Sequence, residues 1–397
     1  MIKIHDPKQT LSKAAITTGS FTSGIGLSQE EADQFLDSVI DETSLKDKVR
    51  IERMNTRSKK IDVLSLAGKV MKPGVEATDP GETVGISTRQ IELISKETIA
   101  IVRVSDDSLE DNIEGDAFAD HLIGLIARAS ANEMEDAWNY GRTVSGTPTE
   151  ITQLWKGWIP QIEDAGNVVD AAGAGFSDRF LEKLKLSKAI KAMPTKFRRN
   201  KALLRFMMAD DLDQDWSDQV VNVRETQLGD RNLELETTHS YRGVRFDPTG
   251  LVRTNRPVLV SGGGSSTLSN NEAASDTVLE LGDTTNFATN DKAVIDKGTG
   301  LEEVVSIASV GGGALTISPG LQFAHTAGAT VEEATDDGTD IVLTNPQNLI
   351  LGLQRDIRLE PDRLPRLRAT DWVLTMRSVA EIVEATAAVL LKNLEVR

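Results

Sequence analysis

Residues 348–377, "NLILGLQRDIRLEPDRLPRLRATDWVLTMR", read as a strand that runs into a charged patch and then into a second strand. Arg355, Asp356, Arg358, Glu360, Arg363, Arg366 and Arg368 crowd this stretch around little apolar surface. Such a cluster belongs either in the cleft of an enzyme or on a face presented to a neighbouring subunit. The remainder of the chain decides between the two.

At 397 residues the chain is too long for one small core and implies two or three domains. The absence of cysteine removes disulfides, thiolate nucleophiles and cysteine-based zinc sites. The opening "MIKIHDPKQTLSKAA" lacks the continuous apolar core of a signal peptide, and no segment approaches the roughly 20 apolar residues that cross a bilayer. Synthesis in the cytoplasm and no membrane partner are the expectation. A formal charge of −17 argues against sequence-independent nucleic-acid binding as the main task, although an acidic chain can still be basic on one face.

Residues 1–27 are polar and weakly patterned, an arm without a core of its own. "SQEEADQFLDSVIDE" then predicts a helix capped by Ser28, with Glu31 at N3 and an apolar stripe of Ala32, Phe35, Leu36, Val39 and Ile40. "KIDVLSLAG" and "RQIELISKETIAIVRVS" predict long strands on either side of an extended excursion that has too few large apolar residues to bury itself. Residues 116–140 carry the strongest helical signal: Phe118, Leu122, Leu125 or Ile126, Ala129, Met134 and Trp138 recur near the 3.6 period, Asp116 caps the start and Gly141 ends it. A second helix is predicted over residues 177–193, capped by Ser177 and stopped by Pro194, with Phe180, Leu181, Leu184, Ile190 and Met193 facing a core. "TKFRRNKALLRFMMADD" predicts a further short helix that buries Phe197, Leu203, Leu204 and Phe206.

Composition shifts after Pro257. Residues 257–340 hold thirteen acidic residues against two lysines, a net of −11, and short β-type runs divided by glycines. This is the pattern of a small all-β insert, with Gly262, Gly263 and Gly264 as its flexible entry. The strong negative charge predicts that the module repels phosphates, and deleting residues 262–339 is expected to leave the core able to fold.

Chemistry is sparse. His5, His121, His239 and His325 are widely separated and read as surface or packed imidazoles, and no metalloprotease, P-loop or nucleophile-elbow motif is present. "DDLDQDWSD" resembles a calcium loop but holds Trp216 and Asn222 where glycine and glutamate are needed, so it reads as an acidic surface. No catalytic residue, metal or cofactor is predicted. In "KFRRNKALLR", Arg198, Arg199 and Lys201 are the candidate DNA-facing cations.

"NPQNLILGLQRDIRLE", "RATDWVLTMR" and "VLLKNLEV", with "RETQLGD" followed by "YRGVRFDPTG", give the chain a resemblance to the major capsid proteins of tailed bacteriophages. The resemblance implies an α+β, HK97-like capsid fold with an N-terminal arm (1–47), an extended-loop region with a long β-hairpin (48–105), a peripheral domain with a spine helix (106–230) and an axial domain (231–256 and 341–397). The β-rich insertion (257–340) stands outside the family's minimal core. It further implies self-assembly into hexamers and pentamers of a head shell around double-stranded DNA, with portal, scaffolding and decoration proteins as partners and the virion as location. The charged cluster at 355–368 then becomes an inter-subunit contact. An encapsulin-like nanocompartment shell is the alternative of the same fold. A glycan-active enzyme using Asp210, Asp213 or Glu225 needs two carboxyl groups roughly 5–9.5 Å apart, and a glycan- or protein-binding module built on the insert is the third reading.

Overall fold

A computed structural model of the chain describes residues 48–66, 86–105, 118–173, 175–223, 239–249, 252–354 and 358–397. The predicted helix beginning at Ser28, the excursion between the hairpin strands, the passage 224–230, and Arg355 and Asp356 lie outside the described residues. The chain divides into two compact units, one containing Ile51–Leu122 and Leu351–Val383, the other Ile123–Ile350 and Glu384–Arg397.

In the first unit, Ser58–Leu66 and Ile86–Ile94 form an antiparallel pair in unbroken register from Ser58 opposite Ile94 to Leu66 opposite Ile86. The strands Arg50–Met54, Leu349–Gln354, Ala369–Ile382 and Arg358–Leu364 form a sheet in that order, and Lys96–Ser105 adds to Ala369–Ile382. Alternation along Ala369–Ile382 buries Trp372, Leu374 and Met376 on one face. Gly352 permits the strands to close up: a Cβ there would stand 2.7 Å from Val379 Cγ1 and 3.0 Å from Met54 Sδ.

The second unit contains the later part of the long helix Phe118–Tyr140, which buries Ile126, Met134 and Trp138 as the stripe predicts, and Ala137 as well, while Ala129 is exposed. Its main core lies between the strands Arg205–Met208, Val244–Pro248, Thr330–Thr344 and Val389–Glu395 and the helices Lys183–Ala192 and Asp210–Val223. Phe206 and Trp216 both meet the Phe246 ring edge-on, with centroids 5.6 and 5.4 Å away.

Two local expectations need correction. The helix predicted from Ser177 starts at Lys183. Lys185 Nζ, fully buried, donates to Asp178 Oδ1 at 2.8 Å and to the Phe180 carbonyl at 2.6 Å, and Phe180 bridges to Glu395, so this stretch is drawn out against the sheet. Leu184 accordingly ends 54% exposed. The basic segment forms only a four-residue helix, Thr195–Arg198, and a 3-10 turn, Lys201–Leu203, before Arg205–Met208 is recruited as a strand parallel to Val244–Pro248, and Leu203 stays exposed. The acidic run "DDLDQDWSD" lies in a helix that buries Leu212 and Trp216.

The acidic β-region follows its predicted strands closely. Val278–Glu280, Lys292–Ile295, Glu303–Gly311 and Ala314–Ser318 pair antiparallel around a core that includes Leu279, Ile295, Val305, Ile307, Leu315 and Ile317. Its entry is not a flexible tether. Gly264 is buried, its N–H donates to Glu333 Oε2 at 2.9 Å, and a Cβ on it would meet the Phe287 ring at 2.5 Å. Glycine serves here for close approach. The strand Thr330–Thr344 then runs unbroken from this region into the main sheet, pairing with Lys292–Ile295 at one end and Val389–Glu395 at the other.

Candidate assembly and nucleic-acid surfaces

The described part of the charged cluster, from Arg358 to Arg368, is distributed over a hairpin. Arg358–Leu364 pairs with Ala369–Ile382 from Arg358 opposite Thr375 to Leu364 opposite Ala369, and Arg366 and Arg368 occupy the exposed turn with Leu367, which is 60% exposed. Directly paired residues share a sheet face. Glu360 therefore lies on the face of Val373 and, one strand further, Ile101, whereas Arg363 lies on the opposite face with Thr370 and Val104. Sequence proximity does not make these residues one patch.

The face that carries Glu360 also carries the apolar pair Ile99 and Ile101, each 62% exposed. Next to them Arg103 donates from Nε and Nη2 to the two carboxylate oxygens of Asp371, at 2.6 and 2.8 Å, and these hydrogen bonds hold the Asp371 carboxyl below the ordinary carboxylate range. The sequence reading overlooked Ile99 and Ile101. Their signal was available: "TIAIVRVS" places apolar residues on both faces of one strand, which is more than one buried face requires.

Arg198, Arg199 and Lys201 lie together beside Ile190 and Thr195, and the structure adds Arg242, distant in sequence, to the same open cavity. Nothing in the sequence marks Arg242 as their neighbour. Of the carboxylates considered for catalysis, Asp210 and Asp213 lie in the first turn of one helix, Asp213 is engaged by His239 Nδ1 at 2.9 Å, and Glu225 lies outside the described residues. Among the described residues no cluster of histidine and carboxylate side chains is arranged to hold a metal ion, and no helix is long and apolar enough to cross a membrane.

No family model matches the chain. It is 25% identical over 387 residues to a protein of Bacillus subtilis (strain 168) named "Putative prophage capsid protein YqbE", covering 96% of this chain and 97% of the relative. A chain of the satellite phage P4 procapsid that includes the size determination (Sid) protein superposes with a TM-score of 0.55 at 8% identity, over 99% of each chain. The chain has the HK97-like fold of phage major capsid proteins. The holo-SrpI encapsulin complex from Synechococcus elongatus PCC 7942 matches the chain at a TM-score of 0.43 and 9% identity, over 89% of this chain and 87% of that one.

Proposed function

We propose that this capsid protein self-assembles into the icosahedral head shell that encloses the double-stranded DNA of a tailed phage. The observation that carries the reading is the extent of the correspondence: the prophage relative and the procapsid chain match 96% and 99% of this chain. A closed shell repeats one contact many times through symmetry, which gives an exposed apolar pair such as Ile99 and Ile101 a surface to bury against. Charges of the 355–368 segment, with Arg366 and Arg368 at an exposed turn, specify register at the same boundary. The acidic β-module, at a net −11 over 257–340, faces outward or between capsomers, away from the genome. Portal, scaffolding and decoration proteins complete the particle.

Electron microscopy of the purified full chain tests the reading. Closed shells, hexamers or pentamers support it, and a monomer at every concentration overturns it. DNA rather than cargo protein inside particles recovered from cells separates a phage head from a nanocompartment.

A further inference from the structure

Four cations from two separate segments converge on one cavity. Arg198 ends the short helix Thr195–Arg198, Arg199 follows it, Lys201 opens the 3-10 turn, and Arg242 projects from the tight turn between Ser240–Tyr241 and Val244–Pro248. The turn is fixed by its backbone, with Arg242 at φ 52° and Gly243 at φ 85°, the left-handed pair that two-residue hairpins favour. With Ile190 and Thr195 the four side chains line a cavity of about 300 Å³, and among the described residues no carboxylate lines it.

Among the described residues no carboxylate neutralises these cations. Arg198 donates to the Ile190 carbonyl at 3.5 Å and to Thr195 Oγ1 at 3.4 Å, and Arg242 stacks over the Tyr241 ring at 5.5 Å. Among the described residues none of the four forms an ion pair. In a protein of formal charge −17 this is a local reversal of sign.

We propose that this cavity binds phosphates of a nucleic-acid backbone, with Arg199 and Arg242 presenting planar donor forks and Lys201 a compact point charge. The proposal rests on the reading of the chain as a shell around DNA. A neighbouring subunit's carboxylate would neutralise one of the four cations. Duplex DNA offers about one negative charge per 1.7 Å of axis and can engage all of them. The contact reads no bases and suits a shell that holds any sequence.

The test measures binding of random-sequence duplex DNA to the purified, unassembled full chain across a salt series, with Arg199→Gln, Arg242→Gln and Arg242→Lys alongside. Each glutamine variant is expected to weaken binding regardless of sequence and to make the slope of log K against log salt shallower by about 0.9. Arg242→Lys keeps the charge and therefore the slope. If that variant also loses the slope, the turn has been damaged, and Arg199→Gln, on a separate segment, decides. Unchanged affinity and slope in both glutamine variants, with normal shells by electron microscopy, overturns the cavity assignment and leaves the shell reading intact. Lost shells with unchanged DNA binding assigns the cavity to a neighbour's carboxylates and overturns it equally. A wild-type chain that forms no shells fails on the shell reading itself.

Discussion

His325 Nε2 stands 2.6 Å from Glu303 Oε1 inside the acidic β-module, and the imidazole is 1% exposed. Asp296 Oδ2 faces the other ring nitrogen at 2.8 Å, so a carboxylate waits at each end of a buried ring. Only the imidazolium donates at both nitrogens. Burial pulls the imidazole pKa down, but the hydrogen bonds to Glu303 and Asp296, with their charges, outweigh it and hold the pKa above its ordinary value.

The sign of the pH dependence follows. A group whose pKa is raised by folding contributes stability that is complete below the unfolded value, about 6.5 for histidine, and is lost as pH rises through the folded value. The melting temperature of the unassembled protein should therefore fall with rising pH in that window. His325→Gln should be less stable at about pH 6 and lose the dependence. An equal pH slope in wild type and variant, by calorimetry, would show that the pair does not titrate as described.

Ile99→Lys and Ile101→Lys should leave the monomer folded while preventing assembly. Both side chains are 62% exposed, so the substitutions remove no intramolecular packing of consequence and should change stability by no more than about 0.5 kcal/mol. Circular dichroism melts paired with size-exclusion chromatography check this. Normal particles from the double variant would remove this face from the shell contacts.

Deleting residues 262–339 should fail. The deletion removes Ala334, Thr335 and Gly338, the partners of Leu259, Val258 and Arg256, together with Thr339 opposite Leu394. Joining Thr267 to Thr330, which already face each other in an antiparallel pair, through an Asn-Gly turn keeps that register. Soluble expression and a cooperative melt are expected of the second deletion and not of the first, and equal behaviour of the two would refute the distinction.

Arg256 and Asp340 form an ion pair near the root of the module, with Asp340 1% exposed. Arg256→Met leaves that carboxylate buried without its partner and should lower stability by about 3–5 kcal/mol, whereas Arg256→Met with Asp340→Leu should recover most of the loss. Urea unfolding of the unassembled chain measures both. A single variant within about 0.5 kcal/mol of wild type would show that water reaches the pair.

Legibility in the sequence followed the range of the interaction. The long helix and the strands of the acidic module could be read because apolar spacing along a dozen residues is a local property, set by backbone period. The start of the helix Lys183–Ala192 could not, because Lys185, Asp178 and the bridge from Phe180 to Glu395 displace it, and that bridge joins residues far apart in sequence. The charged cluster was visible as composition but not as a surface: pairing register sends Glu360 and Arg363 to opposite faces. Gly264 read as a flexible entry because a glycine kept for contact with Phe287 looks, in sequence, the same as one kept for freedom.

By itself the amino-acid sequence determined that the long helix Phe118–Tyr140 and the short strands of the acidic region form, and outside residues 257–340 it carried a resemblance to a capsid subunit. Helix and strand follow from apolar periodicity, which needs no partner, whereas the resemblance rests on segments such as "NPQNLILGLQRDIRLE" and "RATDWVLTMR" and on their order. Tertiary structure alone decided that Arg242 joins Arg198, Arg199 and Lys201, that His325 is clasped by Asp296 and Glu303, and that Ile99 and Ile101 stay in the open. Each depends on which distant strands meet and in what register, and a one-residue shift would turn every such side chain to the other face.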